Sequence, residues 1–453
     1  MANDEKVNVA IVSEGLQSHI NPTLRFAKRL LSKGVNSVTI ITTEVARDRM
    51  LKNNTPNPHS QIQFEFFSDG LSIDFDRNKD MKTFVDSLHS VGTKNLSTLI
   101  TNLTKVQQNK YSCMIVDPLV YPAIDIAFDH GIPCALFWLQ PCVLFSLCYR
   151  YFNNINSFPN LDDPNEKVIL PGLPALDVSD VPSYMLPSAP SHLKQILVNM
   201  CKVLDKVKWV FAISFFELEE ETVKSMDSLA PMYPIGPLVS EFMLGEEKEK
   251  INSQGNSILE WLDTRESSSV IYISFGTVIL LSQEQVDNIA LALKKSEKSF
   301  LWVVKGYENV LPQGFVEETK GRGLVVTWCE QEKVLLHPSV GCFVTHCGWN
   351  SMLETVVAGV PVIAYPKWLD QPASAKVIVK KFGNGVVVNY GEDRVASAEE
   401  MERCIKEVME APSAGEIKQR AIELKVAAKK ALEENGSSGK NISQFVNELK
   451  NVP

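Results

Sequence analysis

The last third of the 453-residue sequence contains a pattern that predicts a phosphate-binding turn. The apolar run Gly341–Thr345 is of the buried-strand type, a polar turn containing Gly348 breaks it, and apolar residues at helical spacing follow up to Ala358. The first N–H groups of such a helix have no intrahelical partner, and the helix dipole is positive there. Ser351 and Glu354 share one face of this helix. We therefore predict a bound nucleotide, with phosphate at the helix N-terminus and ribose hydroxyls donating to Glu354.

The segment Trp328–Gln371 resembles the 44-residue signature of the plant family 1 UDP-sugar glycosyltransferases, and it has the signature's full length without a gap. The resemblance implies a GT-B fold, in which two doubly wound, Rossmann-like α/β domains face each other across a cleft. It also implies transfer of a sugar from a UDP-sugar to a small acceptor. The residues that match the signature stand at its spacing: Trp328, Gln331, His346–Ser351, Glu354 and Asp370–Gln371.

The resemblance assigns donor-binding roles along this segment. Trp328 stacks on uracil, and the backbone of Cys329 reads the edge of the base. Gln371 is typical of members that use glucose. Gln331 and Glu354 bind the ribose hydroxyls. Asp370 and Gln371 bind the hydroxyls of the sugar that is transferred.

The leaving diphosphate needs stabilisation of its negative charge. The resemblance implies that His346, the hydroxyl of Thr277, and N–H groups around Asn350 and Ser351 supply it. These groups take the place of a metal, so we expect no cofactor besides the co-substrate UDP-glucose. The predicted donor site is completed by Ser274 and Trp349.

A catalytic base is predicted in the first half of the chain. His19 lies in the loop after the apolar strand Val7–Val12, and Ser18–Pro22 resembles the family's G-H-x-N-P segment. Asp117 ends the strand Ser112–Val116. Ligands bind at the carboxyl ends of strands in open α/β sheets, so adjacent strands would bring the two side chains together. A helix-initiating role before proline would explain Asp117 equally well.

This pair implies an inverting mechanism in which an imidazole takes the proton of the acceptor hydroxyl, and a carboxylate behind it stabilises the imidazolium. The sequence departs from the family near these residues. Ser18 stands where glycine usually precedes the histidine, and Glu14-Gly15 replaces an apolar-proline pair. Leu139 stands where a threonine often contacts the sugar.

Apolar strands alternate with helical patterns along both halves of the chain, which predicts a doubly wound α/β fold with parallel sheets. The first helix pattern runs from Asn21 to Lys33, with Pro22 at its first position. A charged, glycine-containing stretch then predicts a linker. The expected division is an acceptor-binding domain at 1–239, a linker at 240–256, a UDP-sugar-binding domain at 257–435, and a C-terminal helix at 436–453 that the resemblance packs against the first domain.

Composition narrows the possible partners. The net charge of -9 argues against nucleic acid and against an anionic membrane surface. The longest apolar stretch, Cys134–Tyr149, is too short to span a bilayer, and Met1–Lys6 does not look like a signal peptide. Nine cysteines without CxxC spacing indicate buried thiols in a reducing compartment. We expect a cytoplasmic monomer.

The acceptor is less well defined by the sequence. Gly436–Ser438 and the W-C-x-Q form of the signature resemble a plant group that acts on carboxylic acids as well as hydroxyls. An apolar pocket would suit a phenolic, flavonoid, terpenoid or steroid. The candidate lining residues are Phe84, Trp138, Gln140, Met185 and Leu186, and the apolar ones among them would serve equally well in the core.

Other functions fit less well. A metal-dependent transferase would use a D-x-D pair, but Asp74–Asp76 lies in a polar loop without a preceding strand edge. A dehydrogenase would need a G-x-G-x-x-G turn after the first strand, where the chain reads SEGLQS. A catalytically silent member that binds a nucleotide or small ligand as a sensor is the remaining alternative.

Overall fold

The computed structural model describes residues 6–52, 59–77, 79–246, 253–276, 281–305, 310–391 and 394–451. The chain forms two compact units. Unit 1 comprises Met1–Leu173, Ser183–Leu238 and Lys430–Pro453, and unit 2 comprises Pro174–Pro182 and Val239–Lys429.

Strands and helices alternate along both units. The strands are β1 (Asn8–Val12), β2 (Ser37–Thr43), β3 (Ile62–Phe67), β4 (Cys113–Val116), β5 (Cys134–Trp138), β6 (Lys167–Val168), β7 (Leu176–Asp177), β8 (Val207–Ala212), β9 (Met232–Pro234), β10 (Val270–Ser274), β11 (Ser299–Val303), β12 (Gly323–Val326), β13 (Val340–Thr345), β14 (Val362–Ala364) and β15 (Gly385–Val387).

The helices are α1 (Gln17–Ser32), α2 (Glu44–Lys52), α3 (Met81–Ser87), α4 (Thr93–Thr101), α5 (Pro122–Asp129), α6 (Cys142–Phe152), α7 (Ser191–Lys202), α8 (Phe216–Ser225), α9 (Glu241–Leu244), α10 (Ser253–Asp263), α11 (Gln283–Ser296), α12 (Phe315–Glu318), α13 (Gln331–Leu336), α14 (Trp349–Ala358), α15 (Gln371–Ala375), α16 (Ala398–Met409), α17 (Ala414–Leu432) and α18 (Ser437–Lys450).

Each unit is built on one parallel sheet, as the strand–helix alternation predicts. In unit 1 the strand order is β3-β2-β1-β4-β5-β8-β9, and in unit 2 it is β12-β11-β10-β13-β14-β15. The order of connection reverses between β1 and β4 in unit 1 and between β10 and β13 in unit 2. Such a reversal opens a crevice at the carboxyl ends of the two strands, which is where ligands bind in doubly wound folds.

The C-terminal helix α18 packs on the sheet of unit 1. Phe445 is buried, and its ring meets Trp209 and Phe211 edge-on, with ring centroids 5.0 and 4.8 Å apart. The Ser438 hydroxyl donates to the Gly236 carbonyl at 2.6 Å, and the Asn441 amide donates to a carbonyl of β9. One face of α18 is therefore part of the core of unit 1.

The observed units differ from the expected domains, since unit 1 takes up the chain again at Lys430 instead of 436 and one internal segment is exchanged. Pro174–Pro182 belongs to unit 2, although unit 1 supplies the chain on both sides of it. Two of its carboxylates form ion pairs with Lys376, from Asp177 at 3.2 Å and from Asp180 at 2.6 Å. The pairing of this half-buried lysine with two acids could not be predicted from the sequence, because the partners are about 200 residues apart.

Two predicted boundaries were wrong. Helix α1 begins at Gln17 instead of Asn21, so His19 lies in the first helical turn and Pro22 lies inside the helix. Near a helix N-terminus, proline removes only one backbone hydrogen bond, here to the Ser18 carbonyl, so the helix continues. The expected linker contains α9 and the start of α10, and residues 247–252 of it lie outside the described residues.

All nine cysteines are free and buried, as predicted. Within the described ranges, each helix is too short or too polar to cross a membrane.

We expect Phe445→Ala to lower the free energy of unfolding by about 3–5 kcal/mol, because it leaves a cavity under α18. Urea denaturation followed by circular dichroism measures this change. Asn447→Ala, at an exposed position of the same helix, should change the stability by less than about 0.5 kcal/mol. An equal effect of the two substitutions would mean that α18 is not anchored through Phe445.

Candidate active site

His19 and Asp117 meet at the crevice of unit 1. Strands β1 and β4 are adjacent and in register, Val12 opposite Val116, so the segments that follow them diverge from one point. The Nδ1 atom of His19 lies 2.5 Å from Oδ2 of Asp117. The Asp117 side chain is fully buried, while the His19 imidazole is 19 % exposed. One edge of the imidazole is thus held by a carboxylate and part of the ring remains accessible.

Hydrogen bonds from three segments satisfy the buried carboxylate of Asp117. Its Oδ1 accepts the Leu119 N–H at 2.9 Å, which starts the short 3₁₀ helix Pro118–Val120. Its Oδ2 accepts the Ser13 hydroxyl at 3.2 Å and the Glu14 N–H at 3.3 Å, besides contacting His19. The contacts expected from both interpretations of Asp117 are therefore present, because one oxygen starts a helix and the other faces the imidazole.

The pairing determines which nitrogen of His19 can act as a base. A carboxylate beside Nδ1 favours the tautomer with the proton on Nδ1, since the oxygen needs a donor. The lone pair of the neutral ring then lies on Nε2. This arrangement is the one in which an imidazole accepts a proton from a bound hydroxyl while the carboxylate stabilises the resulting cation.

The turn His346–Gly348 lies at the crevice of unit 2, directly after β13. Two glycines allow close packing around the His346 ring. A Cβ atom at Gly276 would lie 2.9 Å from Cε1 of His346, and one at Gly348 would lie 2.5 Å from Nε2. Between them, Cys347 adopts a positive φ of 67°, which a non-glycine residue rarely does. Side chains at either glycine would displace the imidazole from the start of α14.

Two buried nitrogen atoms at this turn lack a hydrogen-bond partner in the part of the chain that the structure describes. Burial lowers the pKa of His346 to about 4, so its imidazole is neutral at pH 7. Its Nδ1 atom and the indole Nε1 of Trp349 have no hydrogen-bond partner among the described residues. Buried polar atoms are nearly always paired, so unpaired ones beside a helix N-terminus indicate a ligand site.

A connected set of side chains lies along the face of α14. The Gln331 amide donates to the Ser351 hydroxyl at 3.0 Å and to Glu354 Oε2 at 2.8 Å. The carbonyl oxygen of Gln331 accepts the hydroxyl of Tyr272 at 3.2 Å. Tyr272 also lies 3.3 Å from the sulfur of Cys329. Ser351 and Glu354, predicted to share a face, thus contact the same amide.

The remaining donor candidates lie at the ends of this face. Trp328 is 61 % exposed, so the ring is free to stack on a planar ligand. Gln371 is buried, and its carbonyl oxygen accepts the N–H groups of Lys367 and Trp368 at 2.9 and 3.3 Å, which orients the amide. The other positions are Asp370 before α15, Asn350 in the first turn of α14, Ser274 at the end of β10, and Thr277, which lies outside the described residues.

The acceptor candidates differ in their exposure. Phe84, Trp138 and Met185 are buried in the core of unit 1, the alternative that the sequence left open. Gln140 is half-buried and accepts the hydroxyl of Tyr184 at 3.2 Å. Leu186 is also half-buried.

The D-x-D segment Asp74–Asp76 lies in a loop that a buried pair organises. Arg77 binds Asp69 through two hydrogen bonds of 2.7 and 3.0 Å. Within the described part of the chain, no group of three or more histidine, cysteine or acidic side chains is placed to hold a metal ion.

Sequence reasoning missed Tyr272, Ser13 and the position of Glu14. Tyr272 lies in the middle of β10, where an aromatic ring is ordinary core, and its hydroxyl contacts residues that are 57 and 59 positions farther along the chain. Glu14 was noticed only as a departure from the family. It is 2 % exposed, and burial raises the pKa of its carboxyl.

Comparison with known proteins identifies the family. A model of the UDP-glucoronosyl and UDP-glucosyl transferase family matches residues 228–425. The chain is 43% identical over 447 residues to UDP-glycosyltransferase 84B2 of Arabidopsis thaliana, covering 97% of this chain and 99% of that protein. This chain belongs to the plant family 1 UDP-glycosyltransferases. It is a hexosyltransferase by the same comparison.

Another relative of this glycosyltransferase is the cinnamate beta-D-glucosyltransferase of Fragaria ananassa, which is 38% identical over 473 residues. The match covers 100% of this chain and 84% of that protein. Among solved structures, UGT2 of Phytolacca americana complexed with UDP-2fluoro-glucose and pterostilbene has a TM-score of 0.85. It is 27% identical, and the match covers 98% of this chain and 99% of that one. The GT-B fold expected from the signature is thereby confirmed.

We expect Tyr272→Phe to weaken UDP binding about fivefold, because Gln331 loses the hydroxyl that orients its amide toward Ser351 and Glu354. Isothermal titration with UDP measures the affinity. Tyr111→Phe removes a phenol that contacts Thr39 in unit 1, and it should leave the affinity unchanged. Equal affinity of wild type and Tyr272→Phe would exclude a role for this hydroxyl.

The lowered pKa of His346 predicts a pH-dependent stability. The unfolded chain protonates this histidine near pH 6.5 and the folded protein only near 4, so its stabilising contribution is complete above 6.5 and is lost as pH falls toward 4. We expect wild type to lose about 2 kcal/mol more than His346→Gln in unfolding free energy between pH 7 and pH 5.

Urea denaturation at the two pH values tests this expectation, and His59→Gln at an exposed position is the control. An identical pH dependence of wild type and His346→Gln would show that this imidazole is not shielded from protons.

Proposed function

We propose that this glycosyltransferase moves glucose from UDP-glucose to a hydroxyl or carboxyl group of a small hydrophobic plant metabolite, with inversion at the anomeric carbon. The observation that carries the proposal is the His19–Asp117 pair. A protein that only binds a nucleotide or a small ligand needs no base with a buried carboxylate behind it.

In the proposed reaction, Nε2 of His19 takes the proton of the acceptor hydroxyl as its oxygen attacks the anomeric carbon. The new bond forms between that oxygen and the anomeric carbon. The bond from this carbon to the phosphate oxygen breaks, and its electron pair leaves with UDP. Asp117 keeps the proton on Nδ1 and stabilises the imidazolium, and attack from the side opposite UDP inverts an α-linked donor to a β-product.

The donor is assigned to the signature residues of unit 2. Trp328 stacks on uracil, and Gln331 with Glu354, which are hydrogen-bonded to each other at 2.8 Å, receives the ribose hydroxyls. The diphosphate takes its hydrogen bonds from the start of α14 and from His346, whose unpaired Nδ1 supports this assignment. Asp370 and Gln371 bind the glucose hydroxyls.

A diphosphate held in this way uses neutral donors and a helix dipole in place of a divalent cation. We therefore expect transfer to proceed without metal. A cytoplasmic monomer remains the proposal for the state of the protein.

The acceptor is expected to be aromatic or similarly flat and apolar. The relative from Fragaria ananassa is named for cinnamate, and the structure from Phytolacca americana holds pterostilbene. On this chain, Gln140 and Leu186 are the candidate acceptor residues that retain exposed surface. Cinnamic acids, their alcohols and simple phenols are the first compounds to test.

The reaction is tested by UDP release from UDP-glucose with a panel of phenols, aromatic acids, flavonoids and steroids, in the presence of EDTA, while product masses are recorded. We expect release that depends on the acceptor and products heavier by one hexose. Binding of UDP-glucose without release for any acceptor would favour the sensor instead.

We expect His19→Ala to lower kcat at least about 100-fold while the affinity for UDP-glucose stays within about twofold, because the base serves the acceptor. Turnover assays and isothermal titration measure the two effects. His59→Ala, which removes an exposed histidine of unit 1, is the matched control. Loss of donor binding in His19→Ala would contradict the assigned role.

A further inference from the structure

A second acidic side chain is buried next to the His19–Asp117 pair. Glu14 lies in the segment between β1 and α1, and 2 % of it is exposed. Its Oε2 accepts the N–H of Leu16 at 2.5 Å, and its own backbone N–H donates to Asp117 Oδ2 at 3.3 Å. Leu16 is the residue from which α1 begins, and His19 lies in the first turn of that helix. The side chain of Glu14 is therefore fixed to the same short stretch that carries the base.

The charges around Glu14 connect it to both members of the pair. Burial raises the pKa of its carboxyl, the charge of His19 lowers it, and the charge of Asp117 raises it. From the neighbouring helix α2, Arg49 donates to the Gly15 carbonyl at 3.0 Å. The charged and titratable groups that act on this carboxyl are thus the imidazole of His19 and the carboxylate of Asp117, while Arg49 is bound to the adjacent backbone.

Burial makes these interactions stronger than they would be at the surface. Little water is present to screen charges in such a site, so an ionised carboxyl acts on a neighbouring imidazole over several ångströms. At the same time Glu14 does not contact solvent, so it cannot itself meet an acceptor. Any effect on the reaction has to pass through the charge that it places near His19.

We propose that Glu14 is a specificity-determining residue that favours hydroxyl acceptors over carboxylate acceptors at the His19 base. The proposal rests on the function proposed above. It concerns how one chain with a general glucosyl-transfer site chooses between two classes of acceptor.

The two classes place opposite demands on the charge near His19. A hydroxyl delivers its proton to His19 during the attack, so positive charge develops on the imidazole and a second nearby carboxylate stabilises it. An aromatic acid is ionised at neutral pH and brings negative charge without delivering a proton. The carboxylate of Glu14 repels the ionised acid, and no proton transfer to His19 offsets this repulsion. The preference for hydroxyls should therefore increase as pH rises through the titration of Glu14.

Glu14→Gln tests the proposal, because glutamine keeps an oxygen for the N–H of Leu16 and removes the charge. Cinnamyl alcohol and cinnamic acid are suitable probes, since they share a skeleton and differ in the attacking group. At pH 8 we expect the ratio of kcat/KM for the alcohol to kcat/KM for the acid to fall about tenfold in the variant. Glu44→Gln, at an exposed position of α2, makes the same change in net charge and should leave the ratio unchanged.

A second readout does not depend on either probe being a good substrate. The titration of His19 is followed by NMR in protein labelled at histidine carbon, and the resonance is assigned by its absence in His19→Ala. We expect its midpoint to lie about one pH unit lower in Glu14→Gln than in wild type. A purely structural role of Glu14 would not move this midpoint.

An unchanged acceptor ratio, or an unchanged His19 midpoint in a folded Glu14→Gln protein, would overturn the proposal. If neither probe is turned over, the midpoint alone decides. If wild type transfers glucose to no acceptor of the larger panel, the proposed function fails, whatever the effect of Glu14 on His19.

Discussion

The burial of the Asp117 carboxylate is the constraint on which the crevice of unit 1 depends. A buried carboxylate is costly unless its oxygens are hydrogen-bonded, and Asp117 meets this requirement with contacts from three separate segments. The segment after β1, the start of the 3₁₀ helix after β4, and the first turn of α1 are held together by one side chain. The contacts that bury Asp117 therefore also orient His19, so the proposed base and the fold share the same contacts.

Unit 2 also has buried polar groups at its crevice, but not all of them are hydrogen-bonded within the described residues. Its crevice lies at the equivalent reversal of strand order, but the buried groups there are left partly unsatisfied. The imidazole of His346 is packed between two glycines and stays neutral, and Gln331 bonds to Ser351 and Glu354 along α14. In the proposed function, a diphosphate bonds to the start of α14 and to His346. Polar groups that are already held in place by the protein lower the ordering cost of binding.

The sequence was sufficient to predict the parallel sheets, because continuous apolar strands that alternate with helices are compatible with few other folds. It also identified His19 and Asp117, since the ends of adjacent strands meet in space. It failed where long-range packing decides the outcome. Helix α1 starts ahead of Pro22 and continues past it. Tyr272 contacts Gln331, which is 59 residues farther along the chain, and Pro174–Pro182 belongs to unit 2, where it forms ion pairs with a distant lysine. Large aromatic and apolar residues such as Trp138 and Met185 fit a pocket or a core equally well by type, and only burial distinguishes the two.

The most direct test of the account is a crystal structure of the protein with UDP-2-fluoro-glucose and an aromatic acceptor that it glucosylates. The fluorinated donor slows the transfer, so the acceptor can be observed before reaction. The account predicts the attacking oxygen within about 3 Å of Nε2 of His19, with Nδ1 still on Asp117 and uracil on Trp328. An attacking oxygen that contacts another side chain, with His19 turned away from it, would contradict the assignment of the base.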